Sequence, residues 1–122
     1  MKKILLIEDE PALQRTLGDF LKSAGFDVSF SADGISGLEM AKKEKPDLIL
    51  LDLVLPKRNG FDVLLELKQV SKTAAIPVVV LTNLESAEDI DRALEAGAAA
   101  YLVKTNYRME EVVEKVKALL GK

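Results

Sequence analysis

Five side chains in this 122-residue chain could do chemistry together: Glu8, Asp9, Asp52, Thr82 and Lys104. Each stands where an aliphatic run ends. ILLI runs into Glu8-Asp9-Glu10, LILL into Asp52, VVVL into Thr82 and YLV into Lys104. Carboxylates gathered within a few ångströms repel one another and take up protons unless something positive neutralises them. A hard divalent cation does so best, and Mg²⁺ takes a few carboxylates while keeping several waters. Lys104 adds a second positive charge. A carboxylate beside a cation and an ammonium is a competent nucleophile towards phosphorus, and both cations stabilise the oxygens of the group in transfer.

Taken singly, each residue has a plainer reading. Acids after the first run can be solvated loop residues or first-turn acids that favour a helix N-terminus, and Glu10 before Pro11 is read that way. A lone Asp serves turns and caps, a lone Thr builds strands, and a lone Lys is a surface charge. Their joint placement argues for a site.

Composition narrows the chemistry. There is no cysteine and no histidine, which excludes disulfides, thiolate zinc sites, cysteine nucleophiles and the Ser-His-Asp triad. A net charge of −3 argues against holding nucleic acid by its phosphates. With 48% hydrophobic and 30% charged residues, the chain has the balance of one soluble globular domain. The opening MKKILLIEDE has an apolar run too short for a signal core or a membrane span, so a cytoplasmic location is expected.

The elements that must position these residues alternate along the chain. Residues 3–7 read as a strand, and 11–24 as a helix with Leu13, Leu17, Phe20 and Leu21 on one face, stopped by Gly25. Residues 26–31 alternate with period two, as a half-exposed edge strand would. A helix over 33–43 turns Ile35, Leu38 and Ala41 inward, and 47–52 form the next aliphatic strand. Beyond the loop VLPKRNG, Phe61, Leu64 and Leu65 stripe a third helix. Residues 77–82, the most β-branched run, read as a central strand. Ser86 and Asp89 open a helix as S-x-x-D, carrying Ile90, Ala93 and Leu94 to Gly97. Residues 101–104 read as the last strand. Met109, Val112, Val113, Val116, Leu119 and Leu120 line the closing helix. Such alternation argues for a parallel sheet covered on both faces, whose ligands bind beyond the carboxyl ends of the strands.

These residues resemble the receiver (response-regulator) domains of bacterial two-component signalling, across essentially all 122 residues. The resemblance is carried by IEDE after the first strand, DLILLDLVLPKRNG around Asp52, VVVLT ending in Thr82 and GAAAYLVK ending in Lys104. The spacing Asp52-x-x-x-Pro56-x-x-x-Gly60 is specific to that family. The resemblance implies an α/β, doubly wound (βα)5 flavodoxin-like fold with a five-stranded parallel sheet in the order 2-1-3-4-5. It also implies one receiver domain over residues 1–122, with no output domain in the chain. Asp52 would be the phosphoacceptor, served by a sensor histidine kinase, a phosphotransfer protein or a small donor such as acetyl phosphate. Glu8, Asp9, Asp52 and the backbone carbonyl of Val54 would hold Mg²⁺, with Mn²⁺ as a substitute, Glu8 acting through water. Thr82 would bond a phosphoryl oxygen, and Lys104 would pair with Asp52 and then with the phosphoryl group. Tyr101 would turn inward as Thr82 is drawn over. Asp52, Lys104 and Thr82 would form the catalytic set of a signalling domain that is not an enzyme, catalysing only its own phosphotransfer and autodephosphorylation. The switched face, formed by the fourth helix, fifth strand and fifth helix, would meet a downstream protein or output domain, with no direct contact to nucleic acid or membrane.

Some positions depart from that pattern. The family usually has Lys-Pro with a cis bond after the fifth strand, whereas this chain has Lys104-Thr105, where cis would cost about 3–4 kcal/mol. Asn83 replaces the usual small residue after Thr82. Val54 and Leu84 flank the approach of water and are expected to lengthen the life of an acyl phosphate. Gly97-Ala98-Ala99-Ala100-Tyr101 lacks the acids of the dimerising DNA-binding members, so that dimer is not expected. Other classes fit less well. A Mg²⁺ phosphohydrolase with an aspartyl nucleophile would carry an acid where Val54 stands, and a flavodoxin-like nucleotide binder would lack acids after the first strand. A receiver used purely for docking would need none of the five residues.

Overall fold

The computed structural model describes residues 1–121; Lys122, part of the expected 1–122 domain, lies outside the described residues. Five strands, β1 (Lys3–Ile7), β2 (Asp27–Ser31), β3 (Leu48–Leu51), β4 (Val78–Thr82) and β5 (Ala100–Val103), alternate with five helices. These are α1 (Pro11–Ser23), α2 (Gly34–Glu44), α3 (Gly60–Gln69), α4 (Ala87–Glu95) and α5 (Met109–Leu120). All neighbouring strands pair in parallel, in the order β2-β1-β3-β4-β5. This is the expected flavodoxin-like arrangement.

The three inner strands are nearly pure aliphatic because both of their faces are covered. Along β1, Leu5 and Ile7 face one core with Ile49, Leu51, Val78 and Val80, packed under α2, α3 and α4. Ile4 and Leu6 face the other with Leu48, Leu50, Val79 and Leu81, packed under α1 and α5. The period-two stretch is an edge strand, β2, with a largely half-buried pattern, as expected.

The helix starts follow their capping chemistry. Asp33, Asn59 and Ser86 accept the amides of Ser36, Asp62 and Asp89 at 2.8, 3.1 and 3.1 Å, each satisfying a donor the helix cannot. Gly25 and Gly97 follow α1 and α4 with φ of 95° and 110°, a region other residues avoid.

The helix faces are narrower than the sequence stripes suggest. Phe20, Ile35, Leu65, Leu94 and Leu119 are exposed. On α2 the reason is visible: Gly34, Gly37, Leu38 and Ala41 are its buried residues. A Cβ on Gly37 would meet the Ile7 side chain at 2.8 Å. A seam of small residues brings α2 close to the sheet, and Ile35 stands off it. Leu65 and Leu94 each lie one residue beyond a buried neighbour, Leu64 and Ala93, a rotation of about 100° about the axis.

The last strand ends at Val103 rather than at Lys104, which begins a 3₁₀ turn over Lys104–Asn106. Among the described residues no peptide bond is cis, so Lys104-Thr105 takes the trans form.

Candidate functional site

Register decides which side chains meet. Ile7 pairs with Leu51, Leu51 with Val80, and Thr82 with Val103. Glu8, Asp52 and Lys104, each next after its strand, therefore leave the sheet at one edge, at the reversal of strand order between β1 and β3. The Asp52 amide donates to the Ile7 carbonyl at 3.0 Å and the Glu8 amide to that of Ser31 at 2.9 Å. The backbone ladder thus holds both acids one residue past their strands.

Glu8 and Asp52 are only 1% and 5% exposed. Buried charges need partners, and Lys104 supplies one. Its Nζ lies 2.8 Å from Glu8 Oε1, 2.9 Å from Asp52 Oδ2 and 3.0 Å from Glu10 Oε1. Glu8 Oε2 also accepts the Glu10 amide at 3.0 Å, and Asp52 Oδ1 accepts the Val54 amide at 3.1 Å. The side-chain amide of Gln14 donates to the Glu8 carbonyl and ties α1 to the loop.

Burial holds the Glu8 carboxyl above its ordinary range, with the charge of Asp52 adding to the rise, although Lys104 and the Glu10 amide pull against it. For Lys104 burial alone would favour the neutral amine. The hydrogen bonds to Glu8, Asp52 and Glu10 outweigh that and raise its pKa.

Carboxylate oxygens of Glu8, Glu10 and Asp52 all lie within 4.8 Å of one another. Such an all-oxygen, anionic set fits a hard divalent cation. Asp9, Glu10, Asp52, Val54, Asn83 and Lys104 line an open cleft of about 330 Å³ over it.

Thr82 is fully buried beside this edge, and the Leu84 amide points at its Oγ1 at 3.5 Å. The Tyr101 hydroxyl donates to the Leu84 carbonyl at 2.9 Å. Burial, then the charges of Asp89 and Asp52, push its phenol up to about 12.

The Asp-x-x-x-Pro-x-x-x-Gly spacing has a steric reason. A Cβ on Gly60 would stand 2.3 Å from Leu53 Cα and 2.4 Å from the Asp52 carbonyl oxygen. Only glycine lets α3 start against the backbone that carries Asp52. Between them the Pro56 carbonyl accepts the amides of Arg58 at 2.7 Å and Gly34 at 3.3 Å, closing a tight turn with Lys57 at φ 67°.

Glu8, Asp52 and Lys104 are thus in direct contact, Thr82 and Tyr101 stand around Leu84, and Asp9 and Val54 line the cleft. Glu10 was read from the sequence as a helix-start acid. It is the N-cap residue of α1 but makes no side-chain cap bond, and its carboxylate reaches Lys104 instead. The available signal was an acid two residues after Glu8 and just before a proline that keeps it extended.

Comparison with known proteins adds the following. Residues 4–117 match the family described as response regulator receiver domain. The DNA-binding dual master transcriptional regulator RpaA of Synechocystis sp. is 42% identical over 120 residues, 98% of this chain and 49% of that protein. The chain spans about half the length of the first curated relatives it matches. The crystal structure of the Mn(2+)-bound form of response regulator Rcp1 superposes with a TM-score of 0.86 at 32% identity, covering 98% of this chain and 94% of that one. The receiver domain of sensor histidine kinase PA1611 from Pseudomonas aeruginosa, with a magnesium ion coordinated in its active-site cleft, gives a TM-score of 0.89 at 30% identity, covering 99% and 98%.

Proposed function

Because the chain belongs to the response regulator receiver domain family, we propose that Asp52 is its site of phosphorylation. It is a receiver domain of two-component signalling, and its acidic pocket of Glu8, Glu10 and Asp52 fits Mg²⁺ binding and aspartyl phosphorylation. The observation that carries Asp52 is its setting. It is a buried carboxylate, oriented by the Val54 amide and Lys104, and it opens onto the cleft.

In the proposed reaction a carboxylate oxygen of Asp52 forms a bond to the donor phosphorus. The donor's bond to that phosphorus breaks, and its electron pair leaves with a kinase imidazole or with acetate. Asp9, Asp52, the Val54 carbonyl and, through water, Glu8 would hold Mg²⁺ or Mn²⁺, with Glu10 within reach, and such an ion would supply positive charge to neutralise the acids and the oxygens in transfer. Lys104 holds the Asp52 carboxylate in place by its ion pair and then pairs with the phosphoryl group. Thr82 donates its hydroxyl to a phosphoryl oxygen, and Tyr101 follows through Leu84. The change biases the α4–β5–α5 surface towards a downstream protein or output domain. The chain catalyses its own phosphorylation and dephosphorylation and nothing else. A histidine kinase or phosphotransfer protein is its donor, and neither nucleic acid nor membrane is a direct partner of this surface. No helix among the described residues is long and apolar enough to cross a membrane, and the cytoplasm is the proposed location.

The test is intact-mass spectrometry after incubation with acetyl phosphate and Mg²⁺, with Asp52→Asn in parallel. One added phosphoryl group that requires Mg²⁺ and is lost in the mutant is expected. No adduct, together with no Mg²⁺ binding by titration, would instead favour a docking module.

A further inference from the structure

Residues 54–59 join β3 to α3, and the ends of this loop are tied together. The Gly60 amide donates to the Leu53 carbonyl at 2.8 Å. The segment between them can therefore move only as a flap hinged at Leu53 and Gly60. Val54 stands on its first limb, next to that hinge, and lines the cleft.

The apex of the flap rests on the start of α2, a helix that supplies none of the site residues. The Pro56 carbonyl accepts the Gly34 amide at 3.3 Å. A Cβ on Gly34 would stand 2.2 Å from the Arg58 carbonyl oxygen and 3.0 Å from its carbon. Backbone here meets backbone, so neither side can give way by turning a side chain, and strain is passed on. Lys57 at the tip holds φ 67°, which a residue with a Cβ keeps only where its surroundings fix it. Glu66 of α3 draws the flap the same way, taking Arg58 at 2.6 Å and Lys42 of α2 at 2.7 Å.

Resting on the reading that the Val54 carbonyl is a ligand of the divalent cation, we propose that Gly34 is a positioning residue for that cation. Its bare Cα lets the start of α2 close on the turn over 56–58 and stop it. The stop sets where the Val54 carbonyl stands at the cleft. A methyl group at residue 34 pushes the apex away, the flap pivots on Leu53 and Gly60, and the carbonyl leaves its place. Asp52, whose amide is bonded to Ile7, stays in the ladder. The coupling is reciprocal: a cation that fixes the Val54 carbonyl also holds the turn against Gly34.

The test is a Mg²⁺ titration of the full chain, followed through the backbone amides of Asp9 and Val54 by nitrogen-15 NMR. Wild type is compared with Gly34→Ala and Gly18→Ala. The second variant controls for overpacking, since it sets a methyl group 2.7 Å from the Phe30 ring on the other face of the sheet. Expected is a Mg²⁺ dissociation constant about tenfold higher in Gly34→Ala, the lower end of what a group orienting a metal ligand is worth. Gly18→Ala should bind as wild type does. A further measurement needs no variant. In wild type, saturating Mg²⁺ should slow hydrogen exchange at the Gly34 amide more than at the Gly37 amide, which is bonded to the Asp33 carbonyl at 3.1 Å. Wild-type affinity in Gly34→Ala overturns the proposal, as does equal weakening in Gly18→Ala. Should Gly34→Ala fail to fold, the exchange decides, and equal slowing at Gly34 and Gly37 overturns it. Wild type that binds no Mg²⁺ overturns the cation site and the role of Gly34 together, an outcome distinct from the others.

Discussion

Tyr101 keeps its phenol proton where an exposed tyrosine, near 10, has lost it, because burial and the charges of Asp89 and Asp52 hold it up to about 12. An ultraviolet absorbance titration should show a late phenolate phase that Tyr101→Phe removes. The sign follows from linkage: the unfolded chain ionises first, so this contribution to stability is complete below about pH 10 and is lost as pH rises towards about 12. Val54, 56% exposed, lines the cleft with an apolar side chain, and Leu84, half-buried against the core beneath α2, α3 and α4, is proposed to act with it in slowing the approach of water. Val54→Asn combined with Leu84→Glu should shorten the half-life of the phosphorylated protein severalfold, read by intact mass after donor removal. Asp52, Thr82 and Lys104 were legible in the sequence because each ends an aliphatic run. Glu10 was not, because it does not end the strand directly and an acid just before Pro11 equally suits the start of α1.

At the scale of elements, the start of α3 is the least tolerant point. Gly60→Ala places a methyl group against Leu53 Cα and the Asp52 carbonyl, and backbone has little room to yield. A loss of about 1–3 kcal/mol, typical of overpacking, is expected in urea unfolding, with slower phosphoryl uptake because the strain falls on Asp52. Ser86→Ala removes only the cap of α4. It should cost about 1 kcal/mol and leave uptake unchanged. Strand and helix positions were readable to within a residue or two, since period and capping are local. Helix faces were less so: Ile35 and Leu94 look like core residues in the sequence, yet Gly37 and Ala93 decide how each helix lies.

At the scale of the whole molecule, acid should loosen the fold through its ion pairs. Hydrogen bonds from Lys42 and Arg58 hold the Glu66 carboxyl below its ordinary value of 4.5, and those from the Ser36 amide and hydroxyl hold Asp33 below 3.8. Depressed carboxyls stabilise above their unfolded values, and the contribution is lost as pH falls through the folded ones. Glu8, raised by burial, works in the opposite sense and weakens stability as pH rises past 4.5. Urea midpoints should therefore drop below about pH 4.5, and Glu66→Gln should flatten that drop. The strand order has a further consequence. Asp52 and Glu8 follow the inner strands β3 and β1, whereas Lys104 follows the edge strand β5. Local opening starts where a sheet has an unpaired side. Amide hydrogen exchange should accordingly be slow at Asp52, whose amide is bonded to Ile7, and faster across Lys104–Asn106. On that outcome the site straddles a stiff half and a soft half, and its lysine can be re-aimed while Asp52 stays fixed in the sheet.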